Sequence, residues 1–258
     1  MAPWQGWLTT SNLIVPLLMH LMHFKPPTSL PARIARRIFR RRLFVVRLGS
    51  LYLEGRYAEY ADLHAIQEVF LERAYELAEV VPSPDCLIDL GAHIGTFAVL
   101  AGKAFPHARL VAFEPDPDNF TLLGRNTRRN GICPEVHLCA IGEGDGIGFL
   151  AGPSSMGRRL GPGPGLPVSV RRLSAAVELD AMARLLLKID VEGAEWAVLR
   201  ECGDRLPYHT IIFIETHGGA ADLDRLRRFA IDRGFTFKHT RAKGEYHESV
   251  MRRGDFAK

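Results

Sequence analysis

Only four cysteines occur in the 258 residues, and Cys86, Cys133, Cys139 and Cys202 show no paired, metal-type spacing. A disulfide scaffold and a cysteine-bound metal are therefore not expected, whereas reduced thiols in a cytosolic protein are. No apolar stretch suits a membrane span. Leu8 to Phe24 is interrupted by Thr9, Thr10, Ser11, Asn12, Pro16, His20 and His23, against a need for about 20 predominantly apolar residues. With no Lys or Arg before it, the same stretch makes a poor secretory signal. A G-x-G-x-x-G nicotinamide fingerprint is missing, as is the Asn/Asp-Pro-Pro-Phe/Tyr element of many base-modifying enzymes, and no internal repeat is evident.

What is present is ordinary for a soluble globular protein: 47% hydrophobic and 24% charged residues, with a formal net charge of +4. The charge is unevenly spread, since seven arginines fall between Arg33 and Arg47. Residues 1–31 form a proline-punctuated arm. The spacing then predicts a helix over Arg33–Val46, with Arg33, Arg36, Arg37, Arg40 and Arg41 on one face and Ile34, Ile38 and Val45 on another. Three readings suit that face: a solvated docking helix, an interfacial helix drawn to anionic lipid, or a clamp for nucleic-acid phosphates. A second helix is predicted over Tyr57–Val80, ended by Pro82 and Pro84. The expected division is an arm at 1–80 and a catalytic domain at 81–258.

From Cys86 onward strands and helices alternate. Strands are predicted at Cys86–Leu90, Arg109–Phe113, Glu135–Leu138, Leu185–Ile189 and Thr210–Glu215, with helices at Thr96–Ala104, Pro117–Asn130, Ala194–Glu201 and Asp222–Arg233. Gly142 to Pro167, rich in glycine and proline, reads as a mobile loop between short strands. Phe235–His239 and His247–Met251 flank Lys243-Gly244 as an antiparallel hairpin. Such alternation ending in a hairpin describes an α/β, doubly wound, mostly parallel sheet with an antiparallel edge.

The chemistry gathers at strand ends, where open α/β sheets bind ligands. The first loop reads Asp89-Leu-Gly-Ala-His-Ile-Gly95. Gly91 permits a tight turn and Gly95 lets a ligand approach the next helix. Asp89 would repel a pyrophosphate but suits an ammonium group. Glu114, ending the second strand, stands where an acid takes the hydroxyls of an adenosine ribose, or else is a solvated strand-end acid. His93 is either a proton carrier or a capping and packing group. A second acidic stretch, Leu187-Lys-Ile-Asp-Val-Glu-Gly-Ala-Glu195, closes the fourth strand, and Glu215 and His217 close the fifth. Crowded carboxylates raise one another's pKa, which poises one as a base, and Lys188 offsets the repulsion. The alternative is a polar network that fixes the strand-to-helix turn.

Ile88-Asp-Leu-Gly-Ala-His-Ile-Gly95, Phe113-Glu-Pro-Asp-Pro117 with Asn126 and Asn130, Leu187–Glu195 and Ile214-Glu-Thr-His217 together resemble the FkbM family of S-adenosylmethionine-dependent methyltransferases. The likeness covers roughly residues 85–240. His93 stands where the family usually has Asn, and Arg172-Leu-Ser174 where it often has Thr-Leu-Asp. The resemblance implies a seven-stranded class I methyltransferase (Rossmann-like) fold, S-adenosylmethionine as donor and an oxygen nucleophile on a small molecule, lipid or saccharide. On that reading Asp89, Gly91, His93, Gly95, Glu114 and Asp190 bind the donor. Asp190, His217, Glu192 and Lys188 are the catalytic candidates, with His217 a candidate general base, and Glu195 and Glu215 contact the acceptor. The metal-type spacing of Asp190, Glu215 and His217 establishes no ion, so none is expected. Two alternatives stay open: a nucleic-acid methyltransferase that uses the arginine helix, and a non-catalytic donor-binding module that touches membranes through residues 1–50.

Overall fold

The computed structural model describes residues 43–57, 59–72, 74–152, 155, 157–161 and 163–257. It opens on a hairpin, β1 (Leu43–Leu48) and β2 (Leu51–Arg56), paired antiparallel about Gly49-Ser50. The helix expected to run to Val46 is therefore corrected. Phe44, Val45 and Val46 favour a pleated surface, and Phe44 and Leu48 are buried beneath the hairpin. The arginine face of that helix lies outside the described residues.

Helix α1 spans Tyr60–Phe70 only, ten residues short of the expected end. The helix is capped at Leu71, and Tyr75 lies edge-on between Phe97 and Phe213, with ring centroids 4.7 and 5.5 Å away. Packing of that ring overrides the helical periodicity.

The central alternation is β3 (Cys86–Leu90), α2 (Thr96–Ala104), β4 (Arg109–Phe113), α3 (Pro117–Arg129) and β5 (Glu135–His137). A smaller sheet follows, made of β6 (Ala140–Ile141), β7 (Gly146–Ala151), β8 (Arg159–Gly161) and β9 (Leu166–Arg171). After a short α4 (Leu173–Ala176) come β10 (Arg184–Ile189), α5 (Glu195–Cys202), β11 (His209–Thr216), α6 (Gly219–Asp232), β12 (Thr236–Lys243) and β13 (Tyr246–Arg253). The stretch read as a loop at 142–167 folds into that four-stranded sheet, in the order β6-β9-β7-β8. Its glycines serve close approach: a Cβ on Gly165 would fall 2.4 Å from the Leu150 carbonyl oxygen.

The main sheet runs β12-β13-β11-β10-β3-β4-β5, with β11, β10, β3, β4 and β5 parallel and β13 antiparallel to both its neighbours. Period-2 alternation splits the core. Ile88, Leu90, Leu187, Ile189, Ile212 and Ile214 meet Val198, Leu199 and Leu226 of α5 and α6 on one face. Leu87, Leu186, Ile211 and Phe213 meet Phe97, Ala98 and Ala101 of α2 on the other. A third apolar cluster joins the β1–β2 hairpin and α1 to Ile94, Val99 and Leu122.

Candidate active site

The loop after β3 turns back on itself at Gly91, where φ is +76° and a Cβ would fall 1.9 Å from the Asp190 carbonyl oxygen. Only glycine fits there. The amides of Gly91 and Ala92 both donate to the Phe113 carbonyl, at 3.1 and 2.9 Å, which ties the loop to the end of β4. His93 follows at φ +49°, uncommon for a residue with a side chain, and its amide donates to Glu114 Oε2 at 2.7 Å. Glu114 Oε1 accepts from the amide of Asp116 at 2.8 Å and from Asn119 Nδ2 at 3.3 Å. Burial pushes the Glu114 carboxyl up to about 7, against the pull of those donors. The His93 ring, its Nε2 3.3 Å from Ser155 Oγ, is pushed down by burial to about 4 and is neutral at pH 7.

In the sheet Lys188 stands opposite Asp89. Its ammonium lies 3.2 Å from Asp89 Oδ1 and 3.5 Å from Asp190 Oδ2, and donates to the carbonyls of Leu90 and Gly91 at 3.3 and 3.0 Å. Burial alone would lower the lysine pKa, but the two acids raise it above its ordinary value. Asp89 is fully buried beneath the loop, and burial raises its carboxyl in turn. Lys188 thus locks the first acidic strand end to the second.

His217, almost wholly buried at the end of β11, has three carboxylates around it. Nδ1 lies 3.0 Å from Glu195 Oε1, and Nε2 lies 3.3 Å from Glu192 and 3.4 Å from Glu215. Burial opposes its charge, yet Glu195 and Glu215 outweigh that and carry the imidazolium up to about 11. Glu192 sits at φ +53°, and burial, reinforced by Asp190, raises its carboxyl to about 8. Asp190, Glu192 and His217 hold ligand-type atoms within 4.8 Å of one another, and the protonated imidazole supplies the positive charge of that cluster.

These groups share one cavity of about 340 Å³ at the carboxyl ends of β3, β4, β10 and β11. Gly91, His93, Glu114, Lys188, Asp190, Glu192, Glu215 and His217 line it. Asp89, Gly95 and Glu195 do not: Asp89 is the buried partner of Lys188, Gly95 lies under Leu123, and Glu195 backs His217 while accepting the Gly193 amide at 2.8 Å. The sequence reading missed Arg158, Lys243 and Tyr246 in the wall. Arg158 pairs with Asp116 beside Glu114; Tyr246, beside the β12–β13 turn, meets the His217 ring edge-on at 5.0 Å. An aromatic residue next to a hairpin turn was the available signal for Tyr246, whereas Arg158 sits in a glycine-rich stretch without periodicity.

The strand order, the glycine loop after the first core strand and the acid closing the second define a class I methyltransferase. Residues 89–237, more than half of the chain, match the Methyltransferase FkbM domain, and the chain belongs to that family. It is 25% identical over 217 residues to methyltransferase sdnD of Sordaria araneosa, a match covering 69% of this chain and 83% of that protein. It is 30% identical over 170 residues to the 31-O-demethyl-FK506 methyltransferase FkbM of Streptomyces tacrolimicus, covering 52% and 65% of the two chains. Identity with the hexuronic acid methyltransferase AglP of Haloferax volcanii is 28% over 153 residues, covering 57% and 62%. These last two matches each span under two thirds of the relative's length. Among solved structures, M. jannaschii TYW2 in complex with AdoMet superposes with a TM-score of 0.51 at 15% identity, covering 82% of this chain and 86% of that one; that likeness concerns the fold.

Proposed function

We propose that the chain is an O-methyltransferase that takes S-adenosylmethionine as donor and a hydroxyl of a small molecule or saccharide as acceptor. The observation that carries this reading is the single cavity with two unlike walls: the glycine loop and Glu114 on one side, Asp190, Glu192, Glu215 and His217 on the other. The residues fit such a donor. At Gly91 the missing side chain leaves the loop backbone close to the strand end, and Glu114 offers a carboxylate to a ribose diol. FkbM and AglP, named as methyltransferases of 31-O-demethyl-FK506 and of a hexuronic acid, support a hydroxylated acceptor.

When bound, S-adenosylmethionine supplies a sulfonium-activated methyl group, so alignment of the acceptor is the protein's main task. Asp190 stands at the junction of the two walls and orients the acceptor oxygen. His217, held as an imidazolium by three acids, has no free lone pair and is not the base. Its Nε2 lies 3.3 Å from Glu192 and 3.4 Å from Glu215 and links the two side chains. Proton removal from the acceptor falls to Glu192, whose raised pKa suits a base working near neutrality.

Isothermal titration with S-adenosylmethionine tests the donor half: micromolar binding is expected, weakened at least tenfold by Glu114→Ala. Transfer of labelled methyl to a panel of polyols, uronic acids and hydroxylated macrocycles tests the rest, and Glu192→Gln should lower kcat about 10²-fold. A wild-type chain that binds no donor sinks the reading.

A further inference from the structure

The FkbM domain match begins at residue 89, yet a ring of hydrogen bonds and one close polar contact around the Glu114 end of the cavity is closed by residues well before it. Arg56, the last residue of β2, donates from Nε to Asp62 Oδ2 at 2.8 Å and from Nη2 to Asp62 Oδ1 at 2.7 Å. This is the bidentate geometry that gives an arginine–carboxylate pair a fixed orientation. Asp62, on α1, is fully buried and also accepts the Arg56 amide at 2.7 Å. The ring runs two ways from this pair. Arg56 Nη2 donates to Asn119 Oδ1 at 2.6 Å, and Asn119 Nδ2 donates to Glu114. Asp62 Oδ1 lies 3.5 Å from His93 Nε2, and the His93 amide donates to the other oxygen of Glu114.

We infer that Arg56 and Asp62 are positioning residues for the methyl donor, holding the His93 turn and the Glu114 carboxylate in one fixed relation from outside the matched domain. Glu114 has two oxygens to aim at a ribose diol, and His93 holds its backbone at a positive φ; neither conformation is enforced by its own strand. The arginine fork fixes Asn119 on one side while Asp62 fixes the imidazole on the other, so the donor meets a site already formed. A loop that had to be ordered on binding would cost affinity. The inference rests on the donor reading above.

The test compares Arg56→Lys, which keeps the charge but loses the fork, and Asp62→Asn, which keeps the shape but loses the charge, with Leu48→Ala. Leu48 is buried in the same hairpin, and its hydrocarbon side chain takes no part in the ring's polar contacts. Titration with S-adenosylmethionine should show at least a tenfold rise in Kd for both ring variants, and in turnover a matching rise in donor KM with kcat at saturating donor and acceptor KM within twofold. Leu48→Ala should lower the melting temperature and leave donor affinity unchanged. Asn119→Ser cuts the ring at a second point and should behave like the ring variants should either of those fail to fold. Donor affinity within twofold of wild type in the ring variants, or an equal loss in Leu48→Ala, overturns the inference. Should wild type bind no donor, the function fails separately and amide exchange of His93–Gly95 decides: faster exchange in the ring variants alone supports the positioning role, unchanged exchange refutes it.

Discussion

Glu114 carries two demands that pull against each other. It is buried, which favours the neutral carboxylic acid, and it accepts amide hydrogens from His93 and Asp116, which favours the anion. Burial wins, and the carboxyl sits near 7 in place of its ordinary 4.5. A folded-state pKa above the unfolded one contributes stability that is complete below about 4.5 and lost as pH rises through about 7. At about 1.4 kcal/mol per unit the effect is bounded near about 3 kcal/mol. Glu114→Gln removes the titration, so the melting temperature of the variant relative to wild type should climb by several degrees between pH 5 and pH 8. A ribose diol donates into the anion, so wild-type affinity for S-adenosylmethionine should strengthen over the same interval and that of the variant stay flat. Calorimetry at the two pH values reads both, and parallel curves for the two proteins would show that Glu114 does not titrate there.

At the scale of elements, β2 presents a free edge to α3, and two asparagines satisfy it. Asn130 donates to the Tyr52 carbonyl at 2.6 Å and accepts its amide at 3.0 Å; Asn126 does the same for Glu54, at 3.0 and 2.7 Å. Residues four apart on a helix rise about 6 Å, close to the span of residues two apart on a strand. The helix therefore mimics a neighbouring strand and covers the edge. Asn126 also donates to the Ile94 carbonyl at 2.8 Å, joining β2 to the glycine loop. Asn126→Ala leaves buried backbone groups without partners at about 1–3 kcal/mol each, and urea unfolding should register a loss of about 3 kcal/mol. Asn126 and Asn130 were visible in the sequence as part of a likeness, but their partner strand was not. Arginines at helical spacing masked the β-branched Val45-Val46, and the pairing that decides between helix and strand is long-range. β3, β4, β10 and β11 were legible because a strand buried on both faces is a continuous apolar run, and the acids that end them mark where it leaves the core. The same signal read Asp190, Glu192, Glu215 and His217 into one place. It could not read the Asp89–Lys188 pair as buried beneath the loop, which follows from sheet register.

For the whole molecule, the question is whether residues 1–80 are an appendage to a domain that begins at 81. The hairpin and α1 cover Ile94, Val99 and Leu122, all buried. Beyond α1, Leu77 and Val80 belong to the core face shared with α2. Across the far side, Arg241 and Lys243 of β12 pair with Glu68 and Glu72, closing α1 against the antiparallel hairpin at 2.6–3.6 Å. Those ion pairs are half-exposed and each contributes little; the apolar contacts decide. Exposing Ile94, Val99 and Leu122 costs about 1.5–3 kcal/mol for each side chain, a sum comparable to the whole stability of a typical domain, about 5–15 kcal/mol. A fragment of residues 81–258 should therefore lose its cooperative melt, bind a hydrophobic dye at room temperature and fail to bind S-adenosylmethionine. Differential scanning calorimetry of the fragment beside the full chain measures this directly. A cooperative transition within about 3 °C of the full chain would make residue 81 a true domain edge, and the third apolar cluster a surface contact that the methyltransferase fold does not need.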